Sequence, residues 1–290
     1  MPLNWSRCPS TLTWLLVAGA MAVSRCDVVA DDPVGRDRDN IRPSAAGDSE
    51  TPHGTTPADE DLLKAISQRL AEIPVPTEVS PNSVSAHSRR GDALFFLGRF
   101  SEAVDEYRAM VRCDPELDRS HWRLGIALFY AGNPQAAAAQ FERYHSFDDV
   151  DRENGIWRYL SQYRASGREV AQKELLKYQK DDREPFPAVY RLFEGTLTAE
   201  EVIQRIPTDL SVAEQDSRLF YSELYIGLHL VVQNQPKAAL PWLRRAADRK
   251  WPQAAGFGPN YMWHVARLQR DLMAVEILKK STEPRSSNAH

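Results

Sequence analysis

Residues 84–117 read VSAHSRRGDALFFLGRFSEAVDEYRAMVRCDPEL and residues 118–151 read DRSHWRLGIALFYAGNPQAAAAQFERYHSFDDVD, two blocks of equal length laid end to end. Aligned without a gap, Gly91, Leu94, Gly98, Ala103 and Tyr107 recur 34 residues later as Gly125, Leu128, Gly132, Ala137 and Phe141. A repeat of that length, with a small residue at its eighth position and alanine at its twentieth, is the pattern of paired helices that stack. Small side chains at fixed places let two helices approach closely. A larger one forces the pair apart at a cost of about 1–3 kcal/mol. Gly98 and Gly132 fall where the first helix of each block must end, and a residue with positive φ is the common way to end it. Asn133 and Pro134 then supply an N-cap and a first-turn proline for the next helix. One hairpin leaves apolar surface uncovered, so neighbours have to stack on it.

These residues place the chain in the all-α class, as a tetratricopeptide-repeat solenoid of antiparallel helix hairpins with N- and C-terminal capping helices. Ala171 lies 34 residues beyond Ala137, with Leu175 in the place of Phe141 and Gly167 near the expected helix stop. Arg205 then breaks the register, which returns at Gly227, Asn234, Ala239, Leu243 and Ala246. The expected domain covers 57–280, with repeats at about 84–117, 118–151, 152–185 (degenerate), 186–219 (irregular) and 220–253. Ahead of them a helix begins at Thr56-Pro57 and carries Leu62, Leu63, Ile66, Leu70 and Ile73 as one apolar stripe. That stripe either folds back on the first repeat or pairs with the same helix of a second chain. Thr198 and Glu201 have the spacing of a capping box. Trp251-Pro252 with Gly256, Gly258 and Pro259 reads as a loop before a capping helix at Asn260–Lys280, and 281–290 as a mobile tail.

The N-terminus has a different character. Arg7 precedes an apolar run from Thr11 to Val23, shorter than the roughly 20 residues of a spanning helix. Val28-Val29-Ala30 follows with small residues at the cleavage positions, so 1–30 reads as an export signal. Cys26 is the candidate lipid-attachment residue, although Arg25 stands where lipoprotein leaders keep a small side chain. Residues 31–56, rich in Asp, Pro, Gly, Ser and Thr, are expected to be a disordered tether. Cleavage after Ala30 leaves Cys113 alone and no intramolecular disulfide.

The 290 residues include 36 Lys and Arg against 40 Asp and Glu, which disfavours the basic stripe of a nucleic-acid binder. No HExxH, paired CxxC, glycine-rich phosphate loop or GxSxG elbow occurs, so no catalytic residue, metal or cofactor is expected. His87 and His121 occupy equivalent repeat positions and read as packing residues, since two histidines without a third ligand make a poor zinc site. The acidic runs Asp148, Asp149, Asp151, Glu153 and Asp181, Asp182, Glu184 read as solvated turns at helix starts. Cys113, beside Asp114, is not placed to act as a nucleophile. The concave face is the expected partner-binding groove, built from Asp92, Phe95, Phe96, Trp122, Ile126, Phe129 and Tyr130. Some of these aromatics must be core, and the rest are suited to anchor a partner.

Three further stretches carry a resemblance: ENGIWRYLSQYRASG from Glu153, DDREPFPAVYRLFEGTLTAEEVIQRI from Asp181 and FYSELYIGLHLVVQNQPKAALPWLRRAADRKW from Phe220. With the first two repeats they resemble the NlpI family of bacterial envelope lipoproteins. The resemblance implies a homodimeric helical adaptor at the outer membrane, which binds a periplasmic protease and presents cell-wall hydrolases to it. The expected function is accordingly a non-enzymatic adaptor in the periplasm or at the outer membrane, touching membrane only through a lipid on Cys26. The alternative is a pilotin-like assembly factor for a secretion or pilus system.

Overall fold

The computed structural model describes residues 57–180 and 182–282. The expected export signal, Cys26, the expected tether, Asp181 and the tail beyond Thr282 lie outside the described residues. Helix α1 spans Pro57–Glu72. Two hairpins follow, α2 (Val84–Phe96) with α3 (Phe100–Cys113) and α4 (Trp122–Tyr130) with α5 (Pro134–Phe147). The chain continues through α6 (Arg152–Ser166), α7 (Arg168–Lys173), α8 (Phe186–Glu194) and α9 (Ala199–Gln204). A long hairpin of α10 (Val212–Val232) and α11 (Pro236–Asp248) leads by a short α12 (Trp251–Ala254) to the closing helix α13 (Phe257–Thr282). No strand occurs among the described residues, and the fold is an all-α tetratricopeptide-like solenoid.

The glycines make room for a side chain rather than for backbone. A Cβ on Gly91 would sit 2.5 Å from the Tyr107 ring, and one on Gly125 would sit 2.6 Å from the ring of Phe141. In the last hairpin Gly227 does the same for Leu243, at 2.8 Å. The close approach expected of the helices is therefore a notch in one helix filled by a residue of the next. Ala103, Ala137, Ala171 and Ala239 are all fully buried, while in the third unit the notch shifts to Gly155, where an added Cβ would lie 2.5 Å from Tyr178. Gly98, Gly132 and Asn234 have φ of 75, 77 and 57°. In each case the next amide reaches back to the last turn, Arg99 to Leu94, Asn133 to Leu128 and Gln235 to Leu230, at 2.9–3.0 Å. These bonds satisfy carbonyls that a helix end would otherwise leave unpaired.

Between the regular hairpins the elements shorten. Gly167 (φ 87°) ends α6, and Gly195 (φ 76°) ends α8 in a left-handed cap. Helix α9 starts with the expected capping box: Glu201 N donates to Thr198 Oγ1 at 3.2 Å and Thr198 N to Glu201 Oε2 at 2.7 Å. Helix α10 begins at Val212, ahead of the expected repeat boundary at 220. The expected loop before the last helix is helical except at Ala255 and Gly256. Gly258 and Pro259 lie in the first turn of α13, where proline has no amide to lose.

Helix α13 runs antiparallel to α11. Trp263 Nε1 donates to Ala247 O at 2.8 Å at one end, and Lys280 Nζ donates to Asn234 Oδ1 at 3.3 Å at the other. At the opposite end of the fold α1 lies back on α2: Ile73 is buried, Leu70 packs on the core, and Arg90 Nη1 donates to Ile73 O at 3.2 Å. The C-terminal part of the α1 stripe folds back on the first repeat. Leu62, Leu63 and Ile66 remain half-buried.

Candidate functional site

The concave positions do converge, but they do not line an open groove. The first half of α13 lies across α2 and α4. Phe95 stacks on Tyr261 with ring centroids 4.9 Å apart, and Phe96 stacks on His264 at 3.7 Å. Trp122 meets Tyr261 edge-on at 5.0 Å. Arg267 donates to the carbonyl of Phe96 at 2.6 Å, satisfying the last turn of α2. Phe257, Tyr261, His264 and Leu268, three or four residues apart, thus form one stripe of α13 turned toward the first repeats.

Burial corrects the expected groove residue by residue. Phe95 and Phe129 are 0% exposed and Ile126 is 1% exposed, so these three are core. Phe129 faces the next hairpin, its ring 5.5 Å from Trp157, while Phe95 is enclosed by Tyr130 as well as Tyr261. Only Phe96, Trp122 and Tyr130 keep partial exposure, and Phe257 stands 54% exposed beside Trp122. The reason is the length of chain after the last repeat. It returns to fill the inner face, because that face is too apolar to leave wet.

Asp92 is buried in a polar node instead of facing a partner. Arg123 Nη1 donates to its two oxygens at 2.7 and 2.9 Å and to Ser88 Oγ at 2.9 Å. Tyr107 OH donates to Asp92 Oδ1 at 2.7 Å and lies 3.3 Å from Tyr261 OH. Burial raises the Asp92 carboxyl pKa, while Arg123 and Tyr107 act against that rise. The Arg123 guanidinium also sits over the rings of Tyr107 and Phe257, at 5.3 and 5.2 Å. Tyr261 and His264 escaped the reading of the sequence because they lie far along the chain from the repeats they complete. The helical spacing of Phe257, Tyr261, His264 and Leu268 was the signal available for them.

The paired histidines separate into two local roles. His87 Nδ1 lies 2.7 Å from Glu106 Oε2, and Arg90 donates to the other oxygen of the same carboxylate at 2.7 Å. His121 precedes α4 and caps it, its Nδ1 accepting from Leu124 N at 3.2 Å. Burial and the nearby Arg123 push the His121 pKa down to about 3, so the ring is neutral. Among the described residues no group of three or more His, Cys, Asp or Glu is arranged to hold a metal ion. Cys113 is a buried free thiol.

The acidic runs need a correction too. Asp148 and Asp149 are turn residues as expected: Asp148 Oδ1 accepts from Val150 N and Asp151 N, and Asp149 pairs at the surface with Lys180. Asp151, Glu153 and Asp182 are instead drawn inward around Arg183. Its guanidinium pairs with Glu153 and lies 3.7 Å from Asp151 and 3.5 Å from Asp182. Tyr225 OH donates to the second oxygen of Glu153 and itself accepts from Trp157 Nε1 at 3.1 Å. Burial, reinforced by Asp151 and Asp182 and opposed by Arg183 and Tyr225, pushes the Glu153 carboxyl up to about 7. Nothing in the composition of the two runs shows that they face each other.

A family model described as the bacterial transcriptional activator domain matches residues 59–153. The match runs from α1 to the first turn of α6, across both regular hairpins and the half of the inner face that α13 covers. What the chain has in common with that family is a helical, repeat-like region over about a third of its length.

Proposed function

We propose that this chain is a non-enzymatic adaptor of the bacterial envelope, which binds partner proteins through its helical repeats and links a periplasmic protease to peptidoglycan hydrolases, working as a homodimer. The observation that carries the reading is the apolar surface left on one helix of a repeat scaffold. Leu272, Val275 and Leu278 lie on successive turns of α13 and are 43, 48 and 40% exposed. Scattered apolar residues are ordinary at a surface, whereas several on one stripe mark a contact with another protein. The export-type N-terminal sequence and the resemblance of residues 153–251 to envelope adaptors support the same reading.

The test is affinity capture of the tagged full-length chain from a mildly crosslinked envelope fraction. Recovery of a protease or a wall hydrolase, lost when Leu272 and Leu278 are both changed to Asp, is the expected result. Recovery of neither overturns the reading. A second reading rests on the family match, whose description names transcription. The excess of 40 acidic over 36 basic residues argues against direct contact with DNA, which requires clustered Lys and Arg at the phosphates. Altered transcription on deletion of the chain, with wall-hydrolase levels unchanged, would favour that reading.

A further inference from the structure

Within the adaptor reading, the inner face poses a question of its own, because it is already filled by a helix of the same chain. Contacts on two of its sides hold the body of α13, besides a tie from Arg270 to Asp59 on α1. Trp263 ties α13 to the end of α11 and Lys280 ties it to Asn234 in the turn before α11. The stripe of Phe257, Tyr261, His264, Arg267 and Leu268 faces α2 and α4, more than a hundred residues earlier. The first set is a repeat-type hairpin contact. The second joins the two ends of the stack, and such stacks bend with little change in the contacts between neighbours.

This seam is not saturated. Arg267 Nε on α13 and the hydroxyl of Tyr130 beside Phe95 are buried with no hydrogen-bond partner among the described residues. A buried polar atom left without a partner penalises the state that contains it. Gly256 (φ 109°) stands just before α13, in a backbone conformation that favours glycine, with no atom within 4 Å of where its Cβ would lie.

We propose that the face of α2 and α4 is a helix-binding groove occupied in cis by the first half of α13, and that its trans ligand is an amphipathic partner helix presenting an aromatic side chain and, three residues on, a second planar ring. The residues that α13 offers define that ligand. An aromatic hydroxyl reaches the Tyr107–Asp92–Arg123 node, a flat ring stacks on Phe96, and a donor placed as Arg267 is caps the carbonyl end of α2. This inference rests on the adaptor reading and names the chemistry of one partner class.

The probe is a fluorescein-labelled peptide of residues 257–272, FGPNYMWHVARLQRDL, titrated into the full-length chain and followed by anisotropy. Occupancy in cis masks the groove in the native chain, and loosening the seam unmasks it. Tyr261→Ala in the protein is therefore expected to tighten peptide binding about tenfold or more over the native chain. A peptide carrying both Tyr261→Ala and His264→Ala is expected not to bind. Equal affinity for native and variant protein, or no binding to a variant that keeps native helicity by circular dichroism, overturns the proposal. Should Tyr261→Ala unfold the chain, Arg270→Ala releases the 3.2 Å tie of α13 to Asp59 on α1, together with a 2.8 Å bond to Asp271 inside α13 itself. It is expected to tighten binding about threefold, and a flat response overturns the proposal equally. Capture of envelope partners with peptide affinity unchanged in both variants would sink the groove and leave the adaptor reading standing.

Discussion

The hairpin α4–α5 is buried and the junction where α6 meets α8 and α10 is half-buried around an exposed guanidinium, and the two are held by opposite chemistries. In the hairpin a ring fills a glycine notch and an alanine closes the gap. Packing there is apolar, local and repeated along the chain. At the junction three carboxylates share one arginine, with tyrosine and tryptophan donors behind them, and none of it repeats. The first arrangement is sensitive to volume and indifferent to pH. The second is sensitive to protonation and depends on a segment, Asp182–Arg183, whose position is set by the short irregular helices around it.

The contrast can be broken most sharply from the apolar side. Ala137→Arg forces a long charged side chain into a fully buried site, and thermal unfolding is expected to register a loss of about 4 kcal/mol or more. Phe129→Ala comes next, since its ring is core: about 3–5 kcal/mol of stability should go, measured by denaturant titration. An open-groove role for Phe129 would instead leave stability near the native value. Gly125→Ala, whose added methyl meets the Phe141 ring, is expected to cost about 1–3 kcal/mol with no pH dependence of its own.

On the charged side the prediction concerns pH. The Glu153 pKa rises from the ordinary 4.5 of a glutamate carboxyl to about 7 in the fold, so between these values the folded chain holds a proton that the unfolded chain has released. Stability from this group is therefore full at low pH and is lost as pH rises toward 7, by an amount on the order of 1–3 kcal/mol. Glu153→Gln should flatten that part of the pH–stability curve. An unchanged slope would mean that Glu153 is ionised throughout. The smallest effect belongs to the exposed start of α9, where Thr198→Ala removes one cap bond and should cost about 1 kcal/mol by the same unfolding assay.

The legibility of the chain follows the same divide. Gly91, Gly98, Ala103 and Tyr107 announce a hairpin because each constraint acts within one repeat length, and their recurrence multiplies the signal. The capping box at Thr198 and Glu201 was equally plain, since both partners lie in one helical turn. The groove was half legible. The positions that converge could be named, but their covering by Tyr261 and His264 could not. Whether an aromatic is anchor or core depends on what returns to lie over it. Asp151, Glu153 and Asp182 defeated the reading for a related reason. A carboxylate in a turn looks the same in sequence whether it faces water or an arginine 30 residues away.

By itself, then, the sequence determined the helical hairpins, their register and their stops, because backbone stereochemistry and side-chain volume act over a few residues and leave a periodic trace. Tertiary structure alone decided that α13 closes over α2 and α4 and that Arg183 gathers three carboxylates. Both depend on how several imperfect repeats add their small rotations, and that sum brings distant segments together without marking either one.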